Sequence, residues 1–117
     1  MTIHEVNEAT SSRYTATIRN EAGAPVPAAN LTSLTLTITD AGTGEVINGW
    51  SAKNILNTNG ATVSVGGVLV WTGVPADHPI LGSAPVLHED HLAVVEGKWT
   101  GGGCVHFFTI RVKHPAV

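Results

Sequence analysis

The chain of 117 residues contains one cysteine, Cys104, so no disulfide can close within it. Small secreted domains usually depend on such staples, and a single thiol points to synthesis in a reducing compartment. Charge is scarce as well: Asp, Glu, Lys and Arg make up 13% of the residues, about half the usual share. That excludes a coiled coil or a long solvated helix. With six Lys plus Arg and a net charge of −3, the chain lacks the clustered cations that release counterions from nucleic acid, so no nucleic-acid partner is expected. The strongest apolar run, Val68-Leu-Val-Trp71, is far shorter than the roughly 20 residues of a membrane helix. The opening Met1-Thr-Ile-His-Glu-Val-Asn has neither the basic nor the apolar region of a signal peptide. The expectation is a chain that is soluble when made and has no membrane partner.

What is present is alternation. Hydrophobic residues make up 43% of the chain and mean hydropathy is +0.17, enough for one core at this length, so residues 1–117 read as a single domain. In Leu34-Thr-Leu-Thr-Ile-Thr39, Leu34, Leu36 and Ile38 point one way and three threonines the other, as a half-buried strand requires. Tyr14, Ala16 and Ile18 alternate likewise. Strands are predicted over 61–65, 68–72, 91–99 and 105–113, with a further short one over 2–7. On the last main strand Phe108, Ile110 and Val112 face inward, and Thr109 and Arg111 outward. Turns punctuate the pattern at 20–27, 40–44, 57–60, 66–67 and 100–103, rich in Gly, Asn and Pro. About seven short strands without a strong helix predict an all-β antiparallel sandwich, with a small barrel as the alternative. The predicted core is Ile18, Leu34, Leu36, Ile38, Val63, Trp71, Val95, Trp99, Phe108 and Ile110.

Residues 73–90 break the rhythm. Pro75, Pro79, Pro85 and Gly82 forbid a central strand, and a helical turn over 75–80 fits the prolines. A connection of this length either crosses between sheets or carries function. Ile80, Leu81, Val86 and Leu87 add an apolar content unusual for a free loop. Pro75, His78 and Pro79, with those four residues and with Ile3 and Val6 of the N-terminal segment, are the candidate protein-interface residues. The competing explanation is that the loop covers an open end of the sandwich.

The chemistry-bearing candidates are few. His88-Glu-Asp-His91 gathers two imidazoles and two carboxylates, but the histidines are three apart where a zinc-protease helix needs four. On a strand, His88 and His91 face opposite sides and do not converge. Cys104 and His106 share a strand face, with no orienting partner and no cysteine-enzyme signature. No serine sits in a Gly-x-Ser-x-Gly elbow, and Gly101-Gly-Gly103 lacks the Lys-Ser/Thr of a phosphate loop. Asp40, Glu45, Asp77, Glu89, Asp90 and Glu96 show no spacing for paired acid–base work. No metal, cofactor or catalytic site is therefore expected, and the chain reads as no enzyme. Trp71 and Trp99 lie in apolar strands; Trp50, after a turn, is the one aromatic placed to stack on a sugar.

The succession Ile18-Arg-Asn-Glu-Ala-Gly-Ala-Pro-Val, then residues 34–50, then His91-Leu-Ala-Val-Val-Glu96 followed by Phe107-Phe-Thr-Ile-Arg-Val112, resembles small immunoglobulin-like virion proteins of tailed bacteriophages. These include capsid decoration (cement) and head–tail joining proteins and the N-terminal domain of baseplate upper proteins. The resemblance covers most of the chain apart from residues 73–90, and rests on strand-and-turn patterns. It carries over no catalytic residue. It implies an immunoglobulin-like sandwich and a structural role in the virion. The implied partners are other virion proteins, such as major capsid or neck proteins, and further copies of the chain. Synthesis would be in the bacterial host cytoplasm. A carbohydrate- or host-surface-binding module is the alternative.

Overall fold

A computed structural model describes residues 2–79 and 88–113. The strands are β1 (Thr2–Asn7), β2 (Ser12–Thr17), β3 (Leu31–Asp40), β4 (Lys53–Asn54), β5 (Ala61–Val63), β6 (Val68–Gly73), β7 (His88–Trp99) and β8 (Gly102–Lys113). Short 3-10 turns form at Ala28–Asn30 and Pro75–Asp77, the second within the segment where the prolines predict one.

Two sheets result, a five-stranded β1-β8-β7-β3-β4 and a three-stranded β2-β6-β5. Lettered B, C, C′, D, E, F and G from β2 to β8, these are G-F-C-C′ facing B-E-D, the strand order of an immunoglobulin-like sandwich. The pairs are antiparallel except β1, which runs parallel to β8. The eighth strand beyond the expected seven is β4, whose two residues are too short to show a period.

Alternation sets the layers. Leu34, Leu36 and Ile38 of β3 are fully buried against Ala93 and Val95 of β7 and Phe108, Ile110 and Val112 of β8. Each of these side chains larger than Ala93 contributes about 1.5–3 kcal/mol. Aromatic rings stitch the sheets together. Tyr14 of β2 stacks on Phe108 of β8, centroids 3.8 Å apart and planes within 9°. His4 of β1 meets Tyr14 edge-on at 4.8 Å. Trp50, in the β3–β4 connection, meets Trp71 of β6 edge-on at 5.4 Å.

Several boundaries differ from the alternation. β5 ends at Val63, and Val65 is 91% exposed at the tip of the turn to β6. That turn needs Gly67, whose φ is +80° and whose Cβ, if it had one, would sit 2.7 Å from the Val26 carbonyl oxygen. β8 starts at Gly102 and β7 at His88, each three residues earlier than predicted, because the pair continues to Trp99↔Gly102 and His88↔Lys113. Trp99 is only partly buried: it packs against the rim of the core and its indole lies over Gly102, where a Cβ would come within 2.7 Å of Nε1. The other nine predicted core residues are buried.

Candidate functional site

Two regions have a chemistry that sandwich packing alone does not require: a buried polar end and an apolar outer face. The polar end forms where the connection leaving β6 turns back over the sheets. Asp77, 2% exposed, closes the 3-10 turn by accepting the Val74 N–H on Oδ2 at 2.9 Å. Its Oδ1 accepts Trp50 Nε1–H at 2.6 Å and Asn48 Nδ2–H at 2.8 Å. One carboxylate thus ties the start of the β6–β7 connection to the β3–β4 connection. Burial of such a group is tolerated because its oxygens are supplied with donors.

His78 follows and is fully buried. Its carbonyl accepts the Ala9 N–H at 2.9 Å, and its Nε2 lies 2.6 Å from Ser12 Oγ. The ring passes so close to β6 that a Cβ at Gly73 would sit 2.6 Å from Nε2 and 2.7 Å from Ser12 Oγ. Burial lowers the His78 pKa below its usual value; the neighbouring Asp77 opposes this and His91 adds to it. A serine hydroxyl against an imidazole is the geometry of an activated nucleophile. Here the imidazole has no exposed surface, and among the described residues its Nδ1 meets no hydrogen-bond partner that would orient it. The carboxylate next in sequence is committed to Trp50, Asn48 and Val74. The pair joins the head of β2 to the connection.

The His88–His91 run divides as its extended backbone requires. His88 is exposed and His91 is fully buried. His91 Nε2–H donates to Glu89 Oε1 at 2.7 Å on the same strand face, since a carboxylate only accepts. Asp90 turns outward and takes Arg111 bidentately, Nε at 2.9 Å and Nη2 at 3.2 Å. That hydrogen bonding holds the Asp90 carboxyl below the usual carboxylate range. Among the described residues, no three of His, Cys, Asp and Glu converge as a metal would need.

Between β1 and β2 the sandwich opens into a cleft of about 330 Å³, lined by His4, Ser12, Tyr14, Trp71 and Phe108 among others. Burial lowers the His4 pKa and raises that of Tyr14 to about 12, so both rings are disposed to stay uncharged near neutral pH. Farther along, Cys104 and His106 do share a face and line a second cleft of about 390 Å³ with Ile18, Leu69 and Val95. Cys104 packs against the core rim, its Sγ placed 3.3 Å from where a Gly97 Cβ would be.

The interface residues expected from sequence scatter. Pro75 is exposed and Pro79 half-buried, but His78 lies inside and offers no surface. Val6 packs against the core, while Ile3 is 50% exposed. Ile80, Leu81, Val86 and Leu87 lie outside the described residues. Trp50 is not a platform for sugar: it is buried, with its N–H on Asp77 and Lys53 Nζ 4.6 Å above its ring.

The outer face of the five-stranded sheet holds what sequence reading passed over. Phe107 and Val105 of β8 are 49% and 56% exposed, beside half-buried Val94 and Leu92 of β7. Register sets Val94 opposite Phe107, Leu92 opposite Thr109, and Ile3 on the far side of Thr109. Thr35, Thr37 and Thr39 of β3 share the surface, with exposed Glu96 of β7 opposite Val105, Lys98 opposite Gly103, and Glu5 of β1 beside Arg111 at its margins. The signal was available: Phe107 has the same parity as outward-facing Thr109 and Arg111. Compared with known proteins, the chain matches no family model, no curated protein and no solved structure.

Proposed function

We propose that this chain is a non-enzymatic structural protein of a tailed-bacteriophage virion, a capsid decoration or head–tail joining protein that works through protein–protein contacts. The observation that carries the reading is the apolar outer face of the five-stranded sheet. Exposed Phe107, Val105 and Ile3 lie together there rather than scattered singly, and such patches mark interaction sites. Low charge supports it, because interface cores are depleted of charged residues. The resemblance of the strand-and-turn succession to immunoglobulin-like virion proteins supplies the virion context. The commitment of Ser12, Asp77 and His78 to internal bonds supports a non-enzymatic role. The sugar-binding alternative loses its one aromatic platform with the burial of Trp50.

The test is co-expression with the capsid, portal and neck proteins encoded beside its gene, followed by density-gradient sedimentation. The proposal expects the chain to travel with shells or necks. A chain that stays at the top of the gradient with every partner, or a gene with no virion gene nearby, overturns it.

A further inference from the structure

We propose that the outer face of the five-stranded sheet is a homodimer interface, with a second copy laying the same face upon it about a two-fold axis that runs along the strands between β7 and β8. The inference rests on the reading above only in taking the chain to act through protein contacts. The first argument is extent. Four strands about 4.8 Å apart and about ten residues long cover roughly 600 Å² in projection, before side-chain relief is added. A standard interface buries about 800 Å² per partner.

The second argument is self-complementarity. Residues of β7 and β8 that face each other across the axis are register partners within one chain. The rotation therefore lays each residue on its partner's counterpart. Val94 of one copy falls on Phe107 of the other, Leu92 on Thr109, and Glu96, at the exposed margin, on Val105. Ile3, one strand beyond β8, falls near Thr39, one strand beyond β7. At one end, Asp90 of each copy falls on Arg111 of the other. The pair is already bonded within each chain at 2.9 Å, so two pairs stacked in opposite order place four charges with each sign beside the other. An axis running across the strands through Val94 and Phe107 would pair Asp90 with Lys98 but set Arg111 above Gly103, without a carboxylate of the other copy. Threonine and apolar side chains then interdigitate between sheets about 10 Å apart. A symmetric contact of this kind closes and does not propagate.

Sedimentation equilibrium of the purified chain tests this, with circular dichroism confirming that each variant keeps its β spectrum. The wild type is expected to be a dimer at about 100 μM. Phe107→Asp should raise the dissociation constant at least about 100-fold, since the aromatic is lost in both halves. Asp90→Arg and Arg111→Asp should each give monomers, and mixing the two should restore a dimer containing one of each. A requirement for Asp90 and Arg111 inside one chain alone would not produce that rescue, and the mixture reads the axis even if Phe107→Asp does not fold. A wild type that is monomeric at every concentration overturns the interface. So does a dimer indifferent to Phe107→Asp and to the charge exchange. If the monomeric chain still travels with shells in the gradient, the virion reading stands and only this interface falls.

Discussion

At the start of the β6–β7 connection the protein buries Asp77 and His78, and on β7 His91, while across its larger sheet it exposes Phe107, Val105 and Ile3. Both regions reverse the usual placement of polar and apolar groups, and they do so for different reasons. The buried polar groups hold the two ends of the chain's connections together: Asp77 meets three donors, and His78 is held at its ring and its carbonyl. The exposed apolar groups keep about half of their surface open to solvent. A polar interior tied across the chain by hydrogen bonds is architecture, and an apolar exterior left half open is a surface for something else. Substitutions in the first region should therefore cost folding, and those in the second should cost association.

The largest effect is expected at Asp77. Asp77→Ala leaves the Trp50 and Asn48 side chains and the Val74 amide without their acceptor, and should cost about 3–5 kcal/mol in urea unfolding. A cost below about 1 kcal/mol would mean that the polar end does not organise the connections. Gly73→Ala comes next. The new methyl collides with the His78 ring and Ser12 Oγ, and should cost about 1–3 kcal/mol. Ser12→Ala, which removes one bond without a collision, should cost about 1–2 kcal/mol.

Acid should loosen the same end first. Burial lowers the His78 and His4 pKa values in the folded state, so below about 6.5 the unfolded chain binds protons that the folded chain refuses. Stability is then full above that range and falls as pH drops from about 6.5 toward the lowered folded values. Asp90, held ionised by Arg111, adds a later loss, as pH falls below 3.8 and through its lowered folded value. Thermal melts between pH 7.5 and pH 3 would check both windows. A melting temperature rising from pH 7 to pH 5.5 would contradict the assignment for His78. The smallest folding effect is expected on the outer face: Phe107→Ala, measured in dilute protein, should cost less than about 1 kcal/mol.

Most of the sandwich was legible because its strands announce themselves by parity. The Leu34–Thr39 alternation placed β3, and the phase of Ala93 and Val95 placed the inner face of β7. The polar end was not legible, for the same reason. His91 has the phase of a core residue but the chemistry of a surface one, and the Glu89 carboxylate two residues away gives its ring a partner. Asp77 is recruited by Trp50 and Asn48, nearly thirty residues earlier, a partnership no local pattern encodes. β4 pairs through two residues, too few for a period. Phe107 was hidden by its neighbour: in Phe107-Phe108 one ring is core and the other surface, and the run reads as uniformly apolar until the parity of Thr109 and Arg111 is applied.

The contrast between the two regions is tested most directly by the mass of the wild-type chain in sedimentation equilibrium, followed on dilution and compared with Phe107→Asp. The account predicts twice the 12.1 kDa monomer for the wild type, dissociating on dilution, and a folded monomer for the variant. A wild type that stays at monomer mass at every concentration, or a variant that keeps the dimer mass, would contradict it.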